Sequence, residues 1–299
     1  VDGILNINKP RGITSFGVVA QIRRLIGEKR VGHAGTLDPE ATGVLPVCLG
    51  KGTRIVEFLV DTTKAYRAQI ELGVVTDTGD ASGRITRQED PSQVSRERLE
   101  SELTSFCGII EQTPPMYSAV KHQGRRLYQL ARAGIEVERK SRPVMVYSLK
   151  LTNWQSPVAT VEVVCGKGTY IRSLAQDLGQ ALDCGATLKN LSRLRCGLFD
   201  IKEAVSLDQF ETACRHGYWQ HFVYPIDTVL LDWGVIIVDD EVSQFIRNGR
   251  PVALSNDYSG KEGSPYQGYC RAYTLDGCFL GVLRFNLERN EWQPEKVFA

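Results

Sequence analysis

The sequence predicts an α/β protein with a large first domain and a small β-rich second one. Lys64–Gly73 alternates apolar and polar residues with a period of two, the pattern of a half-buried strand. Around residues 15–26 and 171–182, apolar residues instead recur every three to four positions, as on the inner face of a helix. The 299 residues leave room for both domains, and apolar and charged fractions of 42% and 24% suit a soluble protein with a sizeable core.

In chain order, Gly3–Asn8 is a strand that ends at the turn Lys9-Pro10-Arg11-Gly12. Thr14 or Ser15 caps a helix with Val18, Val19, Ile22, Leu25 and Ile26 on one face, and Gly27 closes it. Gly50-Lys-Gly-Thr53 invites a phosphate-loop reading and fails it: Leu45 stands where the first glycine belongs, and Gly52 follows the lysine where Ser or Thr is needed. In the next strand Tyr66, Ala68, Ile70 and Leu72 face inward. Tyr66, at its start, can pack its ring and keep its hydroxyl reachable, although a core tyrosine with a satisfied hydroxyl is the commoner use of such a position. Asp77–Gly83 has the wrong spacing for a calcium loop and reads as a polar turn.

A helix carrying Leu99, Leu103 and Phe106 ends before Gly108. After an irregular stretch over 112–121, a short helix with Leu127, Leu130 and Ala131 stops at Gly134. Strands follow over 143–153 and 159–165, then a helix with Ile171, Leu174, Ala175, Leu178 and Leu182 inward. Arg172 in its first turn opposes the helix dipole at a cost of up to about 1 kcal/mol. An anionic partner is therefore expected, and a nearby surface carboxylate would serve as well as a functional one. Residues 185–197 read as a loop feeding a strand, and Ser206-Leu-Asp-Gln209 as a capping box. The proline-bearing Tyr224-Pro-Ile-Asp227 marks the boundary, giving domains 1–230 and 231–299. Beyond it come a helix over 241–248, a polar loop over 255–268, and a hairpin turning on Asp276-Gly277.

Composition narrows the function. No apolar run is long enough to span a membrane, and the N-terminus lacks the basic start and apolar run of a signal peptide, so a cytoplasmic protein is expected. Eight cysteines are scattered without Cys-x-x-Cys or histidine at ligand spacing, which points to free thiols and to no metal. A net charge of +1 gives no global sign of nucleic acid. Basic clusters over 11–30 and 121–142 and at Arg193 and Arg195, set against acidic 77–102, suit a single phosphate-binding face and equally an ordinary mixed surface. With no coiled coil or exposed apolar stripe, a monomer is expected.

The stretch richest in chemistry is Val31–Leu45. It holds one aspartate, Asp38, before Pro39, with glycines at 32, 35 and 43 and the lone His33. The proline holds Asp38 extended, and the glycines permit close backbone approach. An Asp-Pro pair alone would be only a turn.

Four segments in order carry a specific resemblance: His33-Ala-Gly-Thr-Leu-Asp38-Pro-Glu-Ala-Thr-Gly-Val-Leu45, Lys64-Ala-Tyr66, Gln112-Thr-Pro-Pro-Met-Tyr-Ser-Ala-Val-Lys121 and Gly168-Thr-Tyr170-Ile-Arg172. Together they resemble the TruB family of tRNA pseudouridine synthases, which isomerise uridine 55 in the T-loop. The match spans roughly residues 3–230, and the tail resembles a PUA-like RNA-binding domain. The resemblance implies a mixed sheet flanked by helices with a central cleft, the pseudouridine synthase fold. It implies Asp38 as the catalytic carboxylate, attacking uracil C6 or ribose C1′, and Tyr66 as the ring that stacks on the flipped base and the candidate proton acceptor. Arg172 would pair with Asp38, Tyr170 would line the pocket, and Leu191 would pack beneath the base. His33 would occupy the T-loop, and Lys9, also counted with the substrate-binding set, would mainly support its Lys-Pro turn.

The chemistry asks for such parts independently. Detaching, rotating and rejoining a base through C5 needs no cofactor, but does need a nucleophile that also leaves well, and a carboxylate qualifies. An adjacent arginine favours its ionised form. Extruding the base costs a few kcal/mol, and stacking on an aromatic ring returns about 1–3 kcal/mol. The partner implied is the T-stem-loop of tRNA, recognised by shape. The competing readings are a guide-RNA-dependent synthase and a tRNA-binding or tRNA-folding protein without catalysis.

Overall fold

A computed structural model describes residues 1–253 and 268–298. Its main element is a mixed sheet of eleven strands. From edge to edge the principal strands are Val205–Ser206, Gly3–Lys9, Thr42–Leu49, Ala186–Cys196, Lys64–Leu72, Val158–Cys165, Arg142–Gln155 and Gly108–Gln112. Most neighbours are antiparallel; Ala186–Cys196 runs parallel to Thr42–Leu49, and Val205–Ser206 runs parallel to Gly3–Lys9. The Asp38 loop leaves the short strand Val31–His33 and enters Thr42–Leu49, so it emerges near the middle of the sheet.

Local chemistry sets the helix ends. The Thr14 hydroxyl accepts from the Gly17 N–H and caps Ser15–Ile26, which Gly27 ends in the left-handed region. Ser206 and Gln209 form the expected reciprocal capping box on Leu207–Arg215. Helix Ile171–Ala181 lays Ile171, Leu174, Ala175 and Leu178 on the sheet. It comes so close that a Cβ on Gly179 would overlap the backbone nitrogen of Ala186. That contact seats the C-terminal end of the helix against the start of Ala186–Cys196.

One expectation changes here. Residues 186–196 are not a loop but an eleven-residue strand in the heart of the sheet, paired along its length with Lys64–Leu72. Register shifts between Leu188 and Asn190 and between Arg193 and Arg195 break its alternation, which is why its polar residues disguise it.

A second sheet has four strands, in the order Gly234–Val238, Tyr269–Thr274, Phe279–Asn286 and Glu291–Val297, with helix Asp240–Arg247 capped by Asp239. The hairpin on Asp276-Gly277 is present; the polar loop expected over 255–268 lies, except for Gly268, outside the described residues. The two sheets share apolar packing. Ile4, Ile55 and Leu59 of the first part and Trp233, Val282 and Phe298 of the second belong to one buried cluster. Lys51 and Arg54 donate to the Phe298 and Val297 carbonyls, and Lys296 pairs with Glu57 at 2.8 Å. No helix among the described residues is long and apolar enough to cross a membrane.

Candidate active site

The Asp38 loop is held from several sides. The Ser15 hydroxyl both accepts from the Leu37 N–H (2.8 Å) and donates to the Leu37 carbonyl (3.0 Å). Gly12 N–H donates to the Pro39 carbonyl at 2.9 Å. Lys9 is wholly buried, and its ammonium donates to the carbonyls of Pro10, Ile13 and Pro39 at 2.7–3.0 Å. Burial lowers the Lys9 pKa to about 8, against the opposing pull of Glu40 and Asp38. The placement of Lys9 with the substrate-contacting residues is therefore corrected. It is sealed beneath the turn and acts on the loop's backbone.

Held this way, Asp38 meets Arg172, its Oδ2 lying 3.1 Å from Nε. The same guanidinium approaches Asp80 Oδ2 at 3.8 Å and donates to the Thr78 carbonyl (3.3 Å) and the Tyr117 carbonyl (2.7 Å). The cost of a cation in the first turn of a helix is thus offset by two carboxylates and two carbonyls. Burial raises the Asp38 carboxyl above the ordinary aspartate range, Arg172 opposes that rise, and Asp80 adds to it. The expectation that an adjacent arginine favours the carboxylate holds for the arginine's own effect, but burial outweighs it.

Asp38 opens onto a cleft of about 330 Å³ whose walls include Arg11, Asp80, Lys189, Asn190 and Leu191. Leu191 thus faces the same space as Asp38. Tyr170 stands at the start of the Arg172 helix, its backbone N–H donating to Gln112 Oε1 (2.7 Å), with the Arg142 guanidinium 5.3 Å from its ring centre. His33 lies at the stem of the loop, half-buried, and its Nδ1 is buried with no partner among the described residues. Burial and the charge of Arg193 lower its pKa.

Tyr66 is more enclosed than the alternation suggests: it is 9% exposed and belongs to the same core cluster as Leu37 and Ala41 of the loop and Ile171 of the helix. Burial pushes its phenol up to about 12. Its cross-strand neighbour is Arg193, which is 1% exposed. Arg193, counted from the sequence with a surface basic cluster, is instead among the largest fully buried side chains.

Sequence models match two parts of this chain: one for the TruB family pseudouridylate synthase N-terminal domain over residues 23–171, and one for the tRNA pseudouridylate synthase B C-terminal domain over 172–231. A relative from Dehalococcoides mccartyi named tRNA pseudouridine synthase B is 46% identical over 298 residues, covering 100% of this chain and 97% of the relative. The chain belongs to the TruB family of pseudouridylate synthases. Relatives of the same name from Clostridium kluyveri and Nitrosococcus oceani are 45% and 38% identical, covering 94% and 95% of this chain and 95% and 91% of their own lengths. Among solved structures, a chain of a Cbf5-Nop10-Gar1 complex superposes with a TM-score of 0.74 at 26% identity, covering 99% of this chain and 85% of that one. A chain from an H/ACA RNP bound to a substrate RNA does so with a TM-score of 0.73 at 24% identity, covering 99% of this chain and 85% of that one, and a chain of a Nop10-Cbf5 complex with the same score and identity covers 99% and 86%.

In this pseudouridylate synthase fold Asp38 lines the cleft and Arg172 lies buried behind it. Two members of the cluster were not singled out from the sequence. Asp80 was hidden in a segment that reads as a plain polar turn, where its Oδ1 indeed accepts from Thr78 and Ser82. Arg193 was hidden by the misread strand. Its two-residue spacing from Leu191 would have been a signal only once 186–196 was taken as a strand.

Proposed function

We propose that this chain isomerises uridine 55 in the T-loop of tRNA to pseudouridine, without cofactor or guide RNA. The observation that carries the reading is Asp38, on the wall of a cleft that Leu191 also lines, with Arg172 buried behind it at 3.1 Å. The flipped nucleotide enters this cleft, and the Asp38 carboxylate attacks either C6 of the uracil or C1′ of the ribose. The bond between N1 and C1′ breaks, the base turns, and a bond forms between C5 and C1′. The bond to Asp38 breaks, the C5 proton passes to water and N1 takes up a proton from solvent, so the product is an isomer and nothing is consumed. Arg172 stabilises the carboxylate as attacker and as leaving group. Leu191 packs beneath the base, Tyr170 lines the approach, and His33 occupies the T-loop side of the stem. Tyr66 offers its ring to the base. A phenol raised to about 12 stays protonated at neutral pH, which favours a hydrogen-bond donor over a proton acceptor. Lys9 serves by holding the Pro39 carbonyl. The small second sheet, read as PUA-like, would extend the contact with RNA.

The relatives at 38–46% identity are named tRNA pseudouridine synthase B, whereas chains of a Cbf5-Nop10-Gar1 complex and an H/ACA RNP match at 24–26%. That contrast favours action on tRNA. The test uses a tRNA transcript tritiated at uracil C5, mixed with wild-type or Asp38→Asn protein and nothing else. Label release from the T-loop uridine by the wild type alone is expected, with tRNA binding retained by the variant. Tight binding without release by the wild type would leave a guided enzyme or a non-catalytic tRNA binder.

A further inference from the structure

Arg193 carries an inference that rests on the synthase reading above and extends it. Its guanidinium is buried in the middle of the large sheet, and among the described residues it makes no ion pair with a carboxylate. The lysines Lys9 and Lys64 lie close enough to feel its charge and share its sign, so they do not neutralise it. Burying a guanidinium without a counterion is costly unless its donors are satisfied.

The donors go to particular places. Nε donates to the Val44 carbonyl at 2.7 Å and Nη2 to the Gly35 carbonyl at 3.0 Å. One acceptor lies on each side of Asp38, so a single planar group ties the two stems of the loop together. Gly43, in the left-handed region at φ +102°, lets the loop's exit strand lie directly on the Arg193 backbone. Across the strand pair stands Tyr66, whose phenol pKa the Arg193 guanidinium lowers against the rise that burial causes. A guanidinium has only donors. A hydrogen bond between the two would therefore run from Arg193 to the phenol oxygen and leave the phenol's own proton to donate elsewhere.

We propose that Arg193 is a positioning residue for the isomerisation, pinning both stems of the Asp38 loop and fixing the Tyr66 phenol as a donor. Lysine cannot replace it: an ammonium is a point charge on a flexible stem and cannot span two carbonyls and a phenol in one plane.

The test compares Arg193→Met and Arg193→Lys, each with and without Tyr66→Phe, in single-turnover pseudouridine formation on a tRNA transcript. Binding to the transcript and an NMR titration of the His33 ring accompany it. Both single variants are expected to bind tRNA within about threefold of wild type and to lose at least about tenfold in rate. Tyr66→Phe should slow the wild type but add less than about threefold in either Arg193 background, because the phenol is no longer held. The His33 midpoint should rise in Arg193→Met, where the nearby positive charge is gone. If Arg193→Met does not fold, Arg193→Lys carries the kinetic comparison.

A wild-type rate in Arg193→Lys would overturn the proposal, and so would a Tyr66→Phe penalty equal in all backgrounds. A wild type that forms no pseudouridine overturns the synthase reading itself. An unmoved His33 midpoint in a folded Arg193→Met overturns the placement of Arg193 at the loop stem, so the two failures are separable.

Discussion

Arg172, only 5% exposed, lies 3.1 Å from Asp38, a side chain that is 41% exposed. A buried cation is thus aimed outward at a carboxylate that faces the cleft. Its other donors are taken by backbone carbonyls of Thr78 and Tyr117, so it has little freedom to follow Asp38 if that carboxylate moves.

Replacing Arg172 by alanine should therefore damage catalysis and folding together while sparing affinity for RNA. With Asp38 partly exposed the pair itself is worth about 1 kcal/mol, and the two carbonyls that lose their donor cost about 1–3 kcal/mol. Urea unfolding should report a loss of that order. Single-turnover rates should fall by at least about a hundredfold, with tRNA affinity within a few-fold of wild type. An Arg172→Ala protein that turns over normally would remove the pair from the mechanism.

The acid side of the pH–rate profile has a predictable response to Asp80. If Asp38 is the attacking carboxylate, as proposed, activity needs it ionised and should be lost as pH falls through its pKa, which burial and Asp80 both raise. Asparagine at position 80 removes a like charge, so Asp38 should ionise at lower pH and the acid limb should move downward. Movement in the other direction would mean that Asp80 acts through something other than its charge.

Tyr66 makes a contrasting prediction on the alkaline side. With its phenol at about 12, a donor role leaves the rate flat between pH 7 and about 10. Were the phenolate the base, the rate would climb roughly tenfold per unit over the same range. Single-turnover rates across this range, in wild type and in Tyr66→Phe, distinguish the two.

Gly43→Ala tests how tightly the loop is seated. The new Cβ would overlap the Arg193 carbonyl, and the backbone stands at φ +102°, where an L residue is strained. Positive φ and overpacking each cost about 1–3 kcal/mol, so a loss near 3 kcal/mol or more is expected in denaturant titration. An unchanged midpoint would mean that the loop's exit strand can lift off Arg193.

Much of this was legible in the residues themselves. Thr14, Gly27 and the Ser206–Gln209 box announce helix ends because capping is local chemistry. Tyr66 through Leu72 announce a strand because one face is apolar throughout. Strand Ala186–Cys196 stayed hidden because Lys189, Asn190, Ser192, Arg193 and Arg195 make it look like surface, and its bulges remove the period that would correct the impression. Arg193 was lost for the same reason: burial of a charge is decided by distant carbonyls, here on Gly35 and Val44, which no local window contains. Asp38 and Arg172 were each visible, but only as members of a motif set. That the guanidinium also reaches Asp80 is a fact of three dimensions.

The cluster that runs from Ile4 and Leu59 to Trp233 and Phe298 makes the larger and smaller sheets share a seam rather than a tether. A seam fixes distance. Any molecule touching both parts would meet two surfaces held at one separation, like the jaws of a locked caliper.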